Sequence, residues 1–270
     1  MDPRAIGVFD SGVGGLTVFK EMERALPGES MVYLGDTARV PYGTKSAETV
    51  VRYSLEAMRF MKRQDVKMVV VACNSASSVA IEAMAREEDL PVLGVILPGA
   101  HRAAEYSKTG KIGVIGTRAT IGSGAYEREI LDRRPGAEVL SRPCPLFVPL
   151  AEEGWTDNDI ARQVAESYLE PFKRAEVDTL VLGCTHYPLL REVIGRVMGD
   201  GVLLVDSAES TAEEVRRRLH DNGGLASGRP EAGAGHRFYV TDMPGPFQAV
   251  AERFLGRTGL RLERAGIEGD

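Results

Sequence analysis

"TLVLGCTHYP" (Thr179–Pro188) and "VVVACNSASS" (Val69–Ser78) decide how this chain reads. Each is an apolar run, then a small residue, a cysteine, and small polar residues leading toward a helix-like stretch. The runs are continuous, not alternating. That suits strands buried on both faces of a mostly parallel sheet. A thiol just past such a strand stands where open α/β sheets bind ligands, beyond the carboxyl ends of the strands.

Outward from these segments the same grammar repeats. Further strands are predicted at "AIGVFD" (5–10), "MVYLGD" (31–36), "PVLGVI" (91–96), "KIGVIG" (111–116), "VLLVD" (202–206) and "RFYVT" (237–241). Helical patterns lie between them. Val51, Leu55 and Met58 mark one face of "ETVVRYSLEAMRFMKRQ", because residues at i, i+4 and i+7 share a side. "SSVAIEAMAREE" follows the first cysteine, and "TDNDIARQVAESYLEPF" opens with capping candidates. "SAESTAEEVRRRLHDNGG" starts on a serine cap, carries acids early and bases late, and stops at Gly223–Gly224. "NGGLASGRPEAGAG" (222–235) reads as an exposed loop.

Strand–helix alternation on this scale predicts an α/β fold. The paired cysteine segments suggest an internal duplication. The expected architecture is two pseudo-symmetric domains with mostly parallel sheets and the active site in the cleft between them. Residues 1–97 with 208–270 would form the first domain, carrying Asp10 and Cys73. Residues 98–207 would form the second, carrying Cys184 and His186. "LPGAHRAAEY" after Ile96 is the expected crossover, and the helix near Ser207 the return.

Bulk properties narrow the function. The chain has 270 residues, 33 basic and 39 acidic, for a net charge of −6. It has no long basic run to hold nucleic acid, so an anionic ligand would need local hydrogen-bond donors. No apolar segment approaches the roughly 18 residues of a membrane span, and no signal-type core follows the N-terminus. The expected location is cytoplasmic. Three cysteines in a chain of this length do not make a disulfide framework. Neither C-x-x-C nor H-x-x-x-H spacing occurs, which leaves zinc and dithiol redox chemistry poorly supported.

A lone cysteine near an apolar strand is most often a small buried hydrophobe. Here both thiols follow the run instead of sitting within it, and both precede ligand-holding groups: Asn74 and Ser75, then Thr185 and His186. A helix N-terminus after each would lower the thiol below its ordinary value near roughly 8.5. A symmetric pair of acid/base groups suits a symmetric reaction. Racemisation removes a proton from one face of a carbon and returns one to the other. A hydrolase or decarboxylase using Cys184 alone is the alternative, and a pure amino-acid-binding protein is the non-enzymatic one.

"VFDSGVGGLTV" (Val8–Val18) ends a strand at Asp10, then gives Ser11 and three glycines. It matches neither nucleotide-loop fingerprint. It reads as a tight turn whose N–H groups form an anion nest beside a carboxylate. "YLGDTARVPYG" repeats the plan with Asp36 as a structural cap and Tyr42–Gly43 in a turn. Thr117 and Thr120 could line the cleft or cap a helix. Glu152, in "FVPLAEEGW", could tune His186, though such a residue is more often on the surface. Cys144 reads as structural.

"GVFDSGVGGLTV", "YLGDTARVPYG", "VVACNSAS" and "VLGCTHYPLL", in this order, resemble the motifs of the glutamate racemases, within the cofactor-independent aspartate/glutamate racemase superfamily. "CPLFVPLAEEGW" and the spacers also fit, so the resemblance covers essentially the whole chain. It implies L- and D-glutamate as small-molecule substrates, no pyridoxal phosphate, no metal, and D-glutamate supplied to peptidoglycan. It implies Cys73 as the base toward D-glutamate, Cys184 as the base toward L-glutamate, and Asp10 and His186 as their polar partners. Substrate contacts would fall on Asp10, Ser11, Tyr42, Gly43, Asn74, Ser75, Thr185 and His186. A homodimer is the implied assembly. Ser75 stands where the family often has Thr; the hydroxyl is kept and a methyl lost. The first strand starts close to residue 1, so the N-terminal extension that some members use for activation by a cell-wall precursor is not expected. Another acidic amino acid, such as aspartate, is the alternative substrate.

Overall fold

The computed structural model describes residues 2–87, 89–226, 235–243, 245 and 247–267. The chain begins β1 (Ile6–Asp10), α1 (Leu16–Ala25), β2 (Met31–Gly35), α2 (Ala47–Arg63), β3 (Met68–Val71), α3 (Asn74–Ser77), α4 (Ile81–Glu87), β4 (Val92–Gly94) and α5 (Ile96–Tyr106). It continues β5 (Lys111–Gly116), α6 (Arg118–Gly122), α7 (Ala125–Arg133), β6 (Glu138–Pro143), α8 (Phe147–Glu153), α9 (Asp159–Arg174), β7 (Thr179–Gly183), α10 (Arg191–Met198), β8 (Leu203–Asp206) and α11 (Ser207–Asp221). It ends β9 (Arg237–Val240), α12 (Phe247–Leu255) and β10 (Leu262–Arg264). Single 3-10 turns sit at Tyr42–Thr44 and Tyr187–Leu190.

Among the described residues there are two sheets. One orders its strands β10-β9-β2-β1-β3-β4 and the other β6-β5-β7-β8. Every recorded pairing is parallel. This is the expected two-domain α/β fold. Its physical basis is visible strand by strand: β1, β2, β3 and β7 are buried at every position, as central parallel strands must be. α5 carries the chain from the first sheet to the second, and α11 from the second back to the first. The carboxyl ends of β1, β3, β5 and β7 bear the residues of the candidate site.

Several local expectations shift. In α2 the buried positions are Val50, Ser54, Ala57, Met58, Phe60 and Met61, with Val51 and Leu55 only half-buried. The face is rotated because Ser54 and Ala57, which hydropathy alone does not mark, belong to it. The helix predicted after Cys73 is two short pieces, α3 and α4. The cap of α11 is Asp206, whose Oδ1 accepts the Ala208 N–H at 2.8 Å, and not a serine. Asn158 caps α9, accepting the Ala161 N–H at 2.9 Å. Strand β4 stops at Gly94, and Ile96 already begins α5. Strands β6 and β10 were not predicted. Most of the loop expected at 222–235 (residues 227–234) lies outside the described residues.

Candidate active site

Cys73 follows β3, and Cys184 follows β7 directly. Both thiols are free and buried, and both line one cavity of about 210 Å3. Its wall also contains Ser11, Tyr42, Gly43, Asn74, Ser75, Thr117, Thr185 and His186. That is smaller than the roughly 300–1,000 Å3 of drug-sized sites, so it suits a compact metabolite. Three candidates stand behind the wall. Asp10 and Thr120 are almost fully buried, and Glu152 reaches His186 from outside. The cavity wall also holds groups the sequence did not mark, among them Arg118, Pro41 and Thr44.

The two sulfurs have different surroundings. Cys73 Sγ lies 3.4 Å from Ser11 Oγ, and the Ala76 N–H points at it from 3.5 Å. Burial, then the nearby Asp10 carboxylate, push this thiol up to about 12 against those two hydrogen bonds. The sequence predicts a lowered value. Burial and the Asp10 charge outweigh the Ser11 hydroxyl and the Ala76 N–H at the start of the four-residue α3. Cys184 Sγ lies 3.9 Å from His186 Nδ1. It precedes a 3-10 turn, and α10 starts only at Arg191, so no α-helix N-terminus follows it directly.

His186 is held from both sides. Its Nε2 lies 2.9 Å from Glu152 Oε1, and Thr185 Oγ1 is 3.4 Å from Nδ1. Burial disfavours the imidazolium, but the hydrogen bonds to Cys184 and Glu152 prevail and push His186 up to about 10. Glu152 is 45% exposed and yet engaged.

The glycine turn serves a different purpose from the one expected. The Gly12 N–H donates to Asp10 Oδ2 at 2.9 Å, so the nest cradles the protein's own carboxylate. Asp10 Oδ1 is buried without a partner. Burial raises the Asp10 pKa, and the charge of His186 and the turn N–H groups only partly offset it. Gly14 matters for a second reason. A Cβ there would lie 2.2 Å from Thr185 Oγ1 and 2.6 Å from His186 Nδ1. The β1 turn and the β7 turn therefore touch through a missing side chain.

Polar contacts also cross between the sheets. Ser75 Oγ is 2.9 Å from Thr117 Oγ1 and 3.4 Å from Thr120 Oγ1, and the two threonines are 3.0 Å apart. Thr117 both caps α6, accepting the Thr120 N–H at 3.1 Å, and lines the cavity. Tyr126 donates to Asn74 Oδ1 at 2.7 Å, while Asn74 Nδ2 is buried without a partner. Tyr126 was missed because its role depends on a contact 52 residues away. Asp36 accepts from Tyr42, Arg39 and Thr241 and so anchors the Tyr42 turn. Cys144 is fully buried, and its thiol is raised to about 12 chiefly by that burial.

The profile of the Asp/Glu/Hydantoin racemase family matches residues 6–215. A glutamate racemase of Geobacter metallireducens is 56% identical over 253 residues, covering 94% of this chain and 93% of its own. The solved glutamate racemase of Francisella tularensis, in complex with D-glutamate, superposes with a TM-score of 0.91 at 38% identity, covering 99% of each chain. A Bacillus anthracis glutamate racemase isoform superposes with a TM-score of 0.93 at 40% identity, covering 98% of each chain.

Proposed function

The chain belongs to the Asp/Glu/Hydantoin racemase family, alongside its glutamate racemases, and on that premise we propose that it interconverts L- and D-glutamate by two-base proton transfer. The observation that supports this reading best is the placement of Cys73 and Cys184 on the wall of one cavity, each presented by a different sheet.

One sulfur, as thiolate, takes the α-proton. The electron pair stays on the α-carbon and spreads into the α-carboxylate. The other sulfur, as thiol, delivers a proton to the opposite face. The sulfurs exchange protonation states, no electrons are lost, and the reverse reaction swaps the roles. Cys184 is the base toward L-glutamate and Cys73 the base toward D-glutamate. The α-proton is far less acidic than a thiol, so developing carbanion charge needs donors that strengthen in the transition state. Asn74 Nδ2, Ser75, Thr185 and nearby backbone N–H groups are assigned that role. His186 balances charge beside Cys184, and Asp10 is the polar partner beside Cys73. Tyr42 and Gly43 close the wall.

The wider reading includes D-glutamate supplied to peptidoglycan, a cytoplasmic location, a homodimer, and domain limits at residues 1–97 with 208–270 and 98–207. The two separate sheets support those limits, and among the described residues no helix is long and apolar enough to cross a membrane. Sedimentation of the purified protein tests the dimer.

A second reading has a specific observation behind it. Cys184, His186 and Glu152 are linked in series, the order of a nucleophile, base and orienting acid. A single-cysteine hydrolase would keep its turnover in Cys73→Ala. The deciding experiment for the main reading is circular dichroism of L- and D-glutamate with the purified protein and no added cofactor. Both signals should decay to zero; two unchanged signals would refute it. The same assay with aspartate measures selectivity.

A further inference from the structure

We infer that Tyr126 is a positioning residue that sets the register between the turn bearing Cys73 and the turn bearing Cys184, through the Asn74 amide on one side and Gly183 on the other. This deepens the racemisation reading and rests on it. Tyr126 sits near the start of α7 and is 2% exposed. Its hydroxyl meets Asn74, the residue after Cys73, at 2.7 Å. Its ring lies over Gly183, the residue before Cys184: a Cβ on Gly183 would stand 3.0 Å from Cε2 of that ring. A Cβ on Gly99 would stand 3.4 Å from the ring and from the hydroxyl. One side chain thus touches the neighbour of each sulfur, and bare glycines let it approach.

In the structure the hydrogen bond also orients the amide. An amide has one accepting and one donating end. Because the phenol donates to Oδ1, the end left without a protein partner is Nδ2, which carries two N–H groups. Those are the donors a substrate carboxylate requires. A flipped amide would meet it with an oxygen instead. Burial raises the Tyr126 hydroxyl above its ordinary value, so it keeps the proton that it donates in this arrangement. Loss of the phenol oxygen frees the amide to turn and loosens the spacing of the two turns, while the ring keeps its packing.

The test is a cycle of Tyr126→Phe, Asn74→Ala and the double variant, with turnover in both directions and iodoacetamide labelling of each cysteine followed by mass spectrometry. Tyr126→Phe should lower kcat/KM by about 10-fold or more when Asn74 is present, and by less than about 2-fold in the Asn74→Ala background. Labelling at both Cys73 and Cys184 should change by about 3-fold or more, with Cys144 unreactive. Unimpaired turnover in Tyr126→Phe, losses that multiply in the double variant, unchanged labelling, or a parallel rise at Cys144 (general loosening) would each overturn the assignment. Wild-type turnover separates the two levels. If the wild type leaves both enantiomers unchanged, the racemisation reading falls, and the labelling still decides whether Tyr126 registers the two turns.

Discussion

Gly14 stands against His186 so closely that a methyl group at Gly14 would lie 2.6 Å from Nδ1 and 2.7 Å from Cε1 of the imidazole. The histidine that meets Cys184 is therefore positioned by an absent side chain from the other sheet's turn. Gly14→Ala should displace His186 and Thr185 while leaving the core of β1 intact. A shift of about 1 Å near reacting groups costs about 100-fold in rate. Steady-state kinetics with a melting curve checks this. A variant with normal kcat/KM would show that the approach is not needed.

Asp10 ties stability to activity. Its carboxyl is buried, raised in pKa mainly by that burial, and has one oxygen unpartnered. A folded-state pKa above the unfolded value means that stability from its proton is complete below the unfolded value and is lost as pH rises toward the folded one. At neutral pH the group is thus a cost. Asp10→Asn should raise Tm by a few degrees, since about 1 kcal/mol shifts a domain of this size by about 2–4 °C. It should lower kcat by about 100-fold or more, the usual range for a positioned acid/base group. Calorimetry and turnover on one preparation read both. A variant less stable at pH 8 than the wild type would contradict the first half.

The pH profile follows from His186. Held up to about 10 by Cys184 and Glu152 against burial, it stays charged across neutral pH. The kcat/KM profile should show no imidazole step near roughly 6.5 and should fall as pH approaches 10. The stabilisation from this charge is complete below the unfolded value and is lost as pH rises through about 10. Glu152→Gln should move the alkaline limb to lower pH. Because Glu152 is 45% exposed, its effect on stability should stay below about 1 kcal/mol. An unchanged limb in Glu152→Gln would separate Glu152 from the histidine.

The central strands were legible because burial on both faces leaves continuous apolar runs, as in "MVVV" and "TLVLG". The edges were not. Strand β6, "EVLSRP", has no fully buried position, and β10, "LER", is mostly exposed. Neither bears the hydropathy a pattern search uses. The cysteines, Asp10 and His186 were legible because they lie at or just past strand ends in the chain. Tyr126 gave no such signal, because a contact between distant segments brings it to the site; Arg118 follows β5 beside Thr117 and has no motif of its own to mark it. The direction of the Cys73 shift was misjudged for a related reason. Sequence shows the helix that follows, and it shows neither the helix's length nor the burial around the sulfur.

Racemisation has an equilibrium constant of one by symmetry, so the two directions must have equal kcat/KM, and only a partial reaction can tell the sulfurs apart. The direct test is α-hydrogen exchange in heavy water, followed by proton NMR with each enantiomer, for the wild type, Cys73→Ser and Cys184→Ser. The wild type should exchange and invert both enantiomers. Each variant should lose inversion, with any residual exchange confined to D-glutamate in Cys184→Ser and to L-glutamate in Cys73→Ser. Inversion at the wild-type rate in either variant would contradict a mechanism that needs both sulfurs.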